Sequence, residues 1–345
     1  MRVPVAVAWL LLTLTFFTAG LLRQFHDRTP EAPHASPIVG SLLFAIIFVL
    51  LLVSAREWRR GAVAGPGVRL GSLTPILLML LVEKWFSLIL YPTLFFRWTA
   101  DRVGSAALDA QYRGFAGATL VLVCVLLGAL SRPARYSTWR RVRPSCWPRA
   151  ALASLAVVGG CYLLLGGLNA ALEGGLRLRL PRSDRLLPWI LAGQAVLALG
   201  EELYFRGLLL AEVQRLGPRL GLGSAAARRW LALLSTAALF GLEHLTLGPP
   251  WEASLRELVF TLSLGVLFGL LVLVSANLVF TAAVHCWINW LLLGAAPHFV
   301  DAEGRPGLPS GTYIGLTLVL AFVLAFLVQR RQATAAARAA DALAG

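Results

Sequence analysis

Two adjacent glutamates and an arginine, Glu201, Glu202 and Arg206, interrupt the otherwise apolar stretch from Leu197 to Leu210. An ionisable side chain near the middle of a membrane helix costs about 2.5–3.5 kcal/mol on insertion scales, so such groups usually face a protein interior and mark a site. Glu202 and Arg206 are four residues apart with the acid N-terminal to the base, the favourable orientation for a helical ion pair. Glu201 is turned by about 100° from its neighbour at 3.6 residues per turn. The arginine is therefore expected to neutralise Glu202, leaving Glu201 without a charge partner and suited to general acid or base work.

Two more polar pairs recur at helical spacing. Phe240 and His244 share a face, as do His285 and Asn289. A lone membrane histidine reads as an interhelical hydrogen bond, but six polar residues on three helices in a nearly uniform apolar half must find partners among themselves. Glu201 with His244 could hold and deprotonate a water. His285 with Asn289 could donate to the oxyanion formed when that water attacks a carbonyl. Glu202 and Arg206 then brace the helix that carries the base. Glu243 either joins the water site or reaches the membrane surface near Gly248, Pro249 and Pro250, and the surface reading carries more weight. Neither the zinc-binding His-Glu-x-x-His pattern nor a Gly-x-Ser-x-Gly nucleophile elbow occurs. No aspartate falls inside an apolar span, which removes a two-aspartate mechanism.

The elements that must position these groups follow from composition. With 58% hydrophobic and 14% charged residues over 345 positions, the chain reads as all-α, a polytopic membrane helix bundle. Using about 17–25 apolar residues per span, about ten transmembrane helices are expected, near 3–22, 38–55, 72–96, 115–131, 149–170, 187–212, 229–247, 257–275, 277–296 and 311–329. The first span could be a cleaved signal peptide, but its length favours a retained helix. The net charge of +14 comes from arginines in short loops, a topological signal, and no nucleic-acid partner is implied. The more basic set of alternate loops includes the Arg132–Arg149 cluster, which puts both termini in the cytoplasm of a bacterial inner membrane. Cys124, Cys146, Cys161 and Cys286 lack metal or disulfide spacing and read as small core residues. Glu83 and Lys84, in the third span, read as an interior-facing or solvated pair in preference to a substrate contact. The Arg/Pro-rich loop before residue 149 divides the chain into N-terminal helices of unassigned role (1–148), a core (149–329) and a cytoplasmic tail (330–345).

The three motifs, Glu-Glu-x-x-x-Arg at 201–206, Phe-x-x-x-His at 240–244 and His-x-x-x-Asn at 285–289, occur in this order, each in an apolar helix. In this they resemble the CAAX protease and bacteriocin-processing (CPBP) family, whose type II members are prenyl-protein endopeptidases. The resemblance covers about 187–293 and leaves the first five spans unaccounted for. It implies a glutamate-dependent intramembrane endopeptidase in which Glu201 and His244 activate water while His285 and Asn289 form the oxyanion site. Relatives have also been described as metalloproteases; a zinc ion would fall to Glu201, His244 and His285, but a carboxylate and an imidazole sharing a water need no metal, so zinc comes second and no cofactor is expected. The partners implied are the lipid bilayer and a membrane-anchored protein or peptide, and some bacterial relatives, the myxosortases, remove C-terminal sorting signals. The other reading of the buried charges is a non-catalytic transporter or a peptide-sequestering scaffold.

Overall fold

The computed structural model describes residues 147–173, 177–181, 187–244, 251–300 and 308–344, together with positions 2–3, 68–69, 114, 117–118, 120–121 and 124–125. The first three expected spans, Glu83, Lys84, Cys146 and the question of a cleaved first helix lie outside these residues. Of the fourth span, all described positions from 114 to 125 are helical.

The rest is a bundle of helices. They are α1 (Trp147–Glu173), α2 (Leu187–Glu201), a π-helical segment (Glu202–Leu209) continuing into α3 (Leu210–Leu216), α4 (Ala225–Glu243), α5 (Trp251–Ser275), α6 (Leu278–Leu292) and α7 (Ser310–Ala344). Their ends carry local signals. Pro148 and Pro188 occupy the second position of α1 and α2, where a missing N–H leaves no helical bond unmade. Ser224 caps α4 by accepting from the Ala227 amide at 3.4 Å, and Asn277 caps α6 by accepting from Phe280 at 3.1 Å. At the far end of α6, Gly294 takes a φ of +64°. The Ala295 amide reaches the Trp290 carbonyl at 2.9 Å and the Gly294 amide reaches Leu291 at 3.1 Å, a Schellman closure.

Helices α1, α5, α6 and α7 close around a common core that includes Cys161, Leu165, Phe268, Ile288 and Tyr313. Outside it, α1 exposes Leu152, Leu155 and Leu163, and α7 exposes Val319, Val323 and Phe326. Large apolar side chains turned outward along two helices are what contact with lipid tails requires. Three helical stretches, Trp147–Leu172, Leu255–Ser275 and Ser310–Ala335, are long and apolar enough to cross a membrane. α2 to α3 is not among them because Glu201, Glu202 and Arg206 sit at its middle.

Two short elements accompany the helices. They are antiparallel ladders, β1 (Arg2–Val3) with β2 (Val68–Arg69), and β3 (Leu178–Arg179) with β4 (His298–Phe299). His298, expected in a loop, pairs with Arg179. The Tyr313 hydroxyl, at the start of α7, accepts from the Phe299 amide at 2.7 Å and ties β4 to the bundle. Expected boundaries shift too: α4 ends at Glu243, short of the expected 247, and α5 starts at Trp251, six residues early.

A close helix approach lies beside the glutamates. A Cβ built on Gly200 would sit 2.7 Å from the Gly117 carbonyl oxygen and 3.0 Å from the Leu120 Cβ. Gly117 in turn lies against the Leu197 backbone. Small residues let backbones meet in this way within membranes. Gly200→Ala should therefore overpack the contact and destabilise by about 1–3 kcal/mol. Gly159→Ala on α1, where nothing lies within 4 Å, should stabilise by up to about 1 kcal/mol through helix propensity. Thermal unfolding of the two detergent-purified variants checks the opposite signs.

Candidate active site

The site begins with a change in helix winding. From Glu202 to Leu209 the backbone bonds run one residue longer than in an α-helix, as in the Leu210 amide donating to the Phe205 carbonyl. The sequence reading assumed α-helical winding throughout. The wider turn rotates successive side chains by a smaller angle, so the two neighbouring carboxylates diverge less and can address one partner. Wide turns of this kind are rare and concentrate at functional sites.

That partner is His285, near the middle of α6. Its Nδ1 lies 2.9 Å from Glu202 Oε1, and its Nε2 lies 3.5 Å from Glu201 Oε2. The expectation that Glu201 lacks a charge partner is therefore corrected: the imidazole faces both acids. The expected Glu202–Arg206 pair does form, at 3.0 Å through Nη1. One carboxylate oxygen, Glu202 Oε1, thus accepts from arginine and imidazole together.

Arg206 is fully buried and held on three sides. Its Nη2 donates to the Gly265 carbonyl at 3.3 Å. Its guanidinium lies 4.4 Å from the Phe240 ring centre, with Phe268 at 5.5 Å and Phe205 at 5.7 Å. Such faces attract a desolvated cation by roughly 2 kcal/mol each at best. Gly265 can offer its carbonyl because α5 packs tightly on α4 there, with Ala237 Cα 3.0 Å from where a side chain would begin. Phe268 also stacks on the His285 ring, centres 4.5 Å apart and planes at 26°.

His244 is held by its own helix. It is the residue after the last turn of α4, half-buried, with Nδ1 2.8 Å from the Phe240 carbonyl. That bond makes Nδ1 the protonated nitrogen and directs Nε2 away from the helix axis. The Phe240 ring lies 4.4 Å from the His244 ring and 6.0 Å from the His285 ring, centre to centre. Glu243 is half-buried with Oε2 out of solvent, which turns that oxygen inward and away from the favoured surface reading.

Asn289 lies one turn beyond His285. Its Nδ2 donates to Gln194 Oε1 on α2 at 3.2 Å. Next to it, Trp290 Nε1 donates to the Leu191 carbonyl at 3.3 Å. Three consecutive levels of α6 are thereby bound to α2: His285 to the glutamates, Asn289 to Gln194 and Trp290 to Leu191. Sequence reasoning missed Gln194. It is a solitary amide in an apolar run, seven residues before Glu201 and so on the same helix face, which was the available signal.

The second expectation places zinc on Glu201, His244 and His285. Among the described residues no three histidine, cysteine or acidic side chains converge closely enough to hold a metal ion.

Residues 183–291 match the family model described as type II CAAX prenyl endopeptidase, Rce1-like. The match runs from the start of α2 almost to the end of α6 and contains all six site residues, in agreement with the resemblance read from the three motifs. The segment that carries the site is thus similar to CAAX-type endopeptidases. No curated protein and no solved structure matches the chain.

Arg206→Met should destabilise strongly, by about 3–5 kcal/mol, because it strands the Glu202 charge in the interior. Adding Glu202→Gln should recover much of that loss. Thermal unfolding of single and double variants measures both, and a double variant that melts no higher than Arg206→Met would show that the stranded Glu202 charge is not the source of the loss.

Proposed function

We propose that the chain is an intramembrane endopeptidase that hydrolyses a peptide bond in or next to the bilayer with a water activated by Glu201. The observation that carries this reading is the buried sequence Arg206, Glu202, His285, Glu201, in which each group faces the next. It has the logic of a catalytic relay. A carboxylate fixed by an arginine orients an imidazole, and the imidazole presents its other nitrogen to a second carboxylate.

In the proposed reaction, the Glu201 carboxylate takes a proton from water as the oxygen attacks the scissile carbonyl carbon. An oxygen at hydrogen-bonding distance, about 2.8 Å, from both Glu201 Oε2 and His285 Nε2 can sit at the apex above that 3.5 Å separation. The tetrahedral oxyanion is met by the Asn289 amide, and His244 contributes Nε2 to the water or the oxyanion. His285 relays the proton from Glu201 to the leaving nitrogen, the C–N bond breaks, and a carboxylate and an amine leave. Glu202 holds the imidazole in the tautomer with hydrogen on Nδ1 and stabilises it while it is charged. Metal takes no part in this scheme.

In this reading the described helices belong to a bundle of about ten spans in a bacterial inner membrane, with both termini cytoplasmic. The ladders support the topology. β3 and β4 join two loops that the charge pattern assigns to one side, and β1 and β2 join two segments assigned to the other. The substrate is a membrane-anchored protein or peptide, with a C-terminal sorting signal the favoured form.

Glu201→Gln preserves shape and removes the base, and should slow processing by about 10²–10⁴-fold. Membrane proteomics compares cells carrying the wild-type chain, the Glu201→Gln variant and no chain. A C-terminally extended precursor should accumulate in the last two. Identical protein termini in all three would remove the endopeptidase reading.

A further inference from the structure

We infer that Gln194 is a positioning residue that fixes the carboxamide of Asn289 for the oxyanion, an inference that rests on the endopeptidase reading above. Gln194 is 1% exposed on α2, and its Oε1 accepts from Asn289 Nδ2 at 3.2 Å. Neither the three motifs nor the reaction scheme uses it.

The argument starts from asparagine's side chain. Its terminal torsion is broad and two-fold, so an unclamped carboxamide presents nitrogen or oxygen to a given point with little preference. An oxyanion donor tolerates no such freedom. The N–H must lie about 2.7–3.1 Å from the position the charge will occupy. Once one Nδ2 hydrogen is committed to Gln194, amide planarity sets the direction of the second Nδ2 hydrogen and turns Oδ1 to the opposite side. Gln194 thereby selects the donor edge of Asn289 over the acceptor edge, which would repel an oxyanion.

The anchoring of Gln194 makes the clamp stiff. On α2 it is bracketed by contacts to the same partner helix: Trp290 Nε1 on the Leu191 carbonyl at 3.3 Å toward one end, and His285 against the two glutamates toward the other. Gln194 and Glu201 are seven residues apart on one face, and Asn289 and His285 are four apart on the facing helix. The clamp therefore ties the oxyanion donor to the helix that carries the general base. Both are set by one helix pair and move together.

A plain interhelical hydrogen bond between the same residues would predict a different result, so the test separates the two. The substrate probe is the precursor that accumulates when Glu201 is replaced by glutamine, followed by pulse-chase labelling in intact cells. Gln194→Leu removes the acceptor and should slow conversion about 100-fold, the loss typical of a reacting group misplaced by about 1 Å. In the Asn289→Ala background the same substitution should cause no further loss, because nothing remains to be positioned. Gln194→Glu keeps a carbonyl oxygen able to accept in either protonation state and should restore conversion to within about tenfold of wild type. This variant decides the matter if the leucine variant fails to accumulate. Additive losses in the double variant, a wild-type rate for Gln194→Leu, or a glutamate variant 100-fold impaired would each overturn the positioning role while leaving Glu201 dependence intact. Unaltered processing in Glu201→Gln would instead remove the endopeptidase reading itself.

Discussion

A single oxygen atom, Glu202 Oε1, accepts hydrogen bonds from a guanidinium at 3.0 Å and an imidazole at 2.9 Å with its own residue wholly buried. An ionised carboxylate in a low-dielectric bundle is too expensive to leave alone, and a buried arginine is no cheaper. Together they are tolerable only if geometry satisfies the remaining donors. That condition recruits the rest of the bundle. α5 must offer the Gly265 carbonyl, α4 and α5 must offer the faces of Phe240 and Phe268, and α6 must bring His285 within reach. Helix contacts that look generic, such as Gly265 against Ala237, are there because the arginine needs a carbonyl at that point.

The π-helical segment follows from the same demand. Were α-helical winding to continue past Glu201, the two acids would diverge by about 100° and only one could face α6. Loosening the turn from Glu202 onward brings both toward His285, while the four-residue spacing to Arg206 still forms its ion pair. The cost of the looser turn is offset where the chain is most tightly packed, since Gly200 meets Gly117 with no room for a side chain. A helix from outside the family-matched segment is therefore packed directly against the residue preceding Glu201. This gives the first half of the chain a mechanical stake in the site.

How much of this was legible depended on whether a feature is local. The Glu202–Arg206 pair could be read from spacing alone, because neighbours four apart on a helix meet whatever surrounds them. His285 does meet the acids, as stranded polar groups with few choices would, whereas Asn289 bonds to Gln194. The pairing of His285 with both glutamates was not legible, because it depends on how α6 rotates against α2 and on a winding change that no residue type announces. His244 was drawn within a span and instead follows the final turn of α4. Helix ends are set by a few tenths of a kcal/mol and by tertiary context, so boundaries drift by several residues. Gln194 left a usable trace in its spacing from Glu201, but one amide carries less apparent weight than a charge.

The chain of four groups is not equally sealed along its length, and that asymmetry gives it a direction. Side-chain exposure is 1% at Arg206, 0% at Glu202, 4% at His285 and 12% at Glu201. The arginine end lies inside an aromatic shell of Phe205, Phe240 and Phe268, whose ring faces stabilise the cation without supplying an acid that could compete for its charge. The glutamate end is the one that opens, on the side where Asn289 and the half-buried His244 stand near helix termini. The proposed hydrolysis needs a few waters at Glu201 and none at Glu202, because a solvated Glu202 would loosen its hold on the imidazole. The fold meets this requirement by grading burial along the relay, from a closed structural end to an open reactive one.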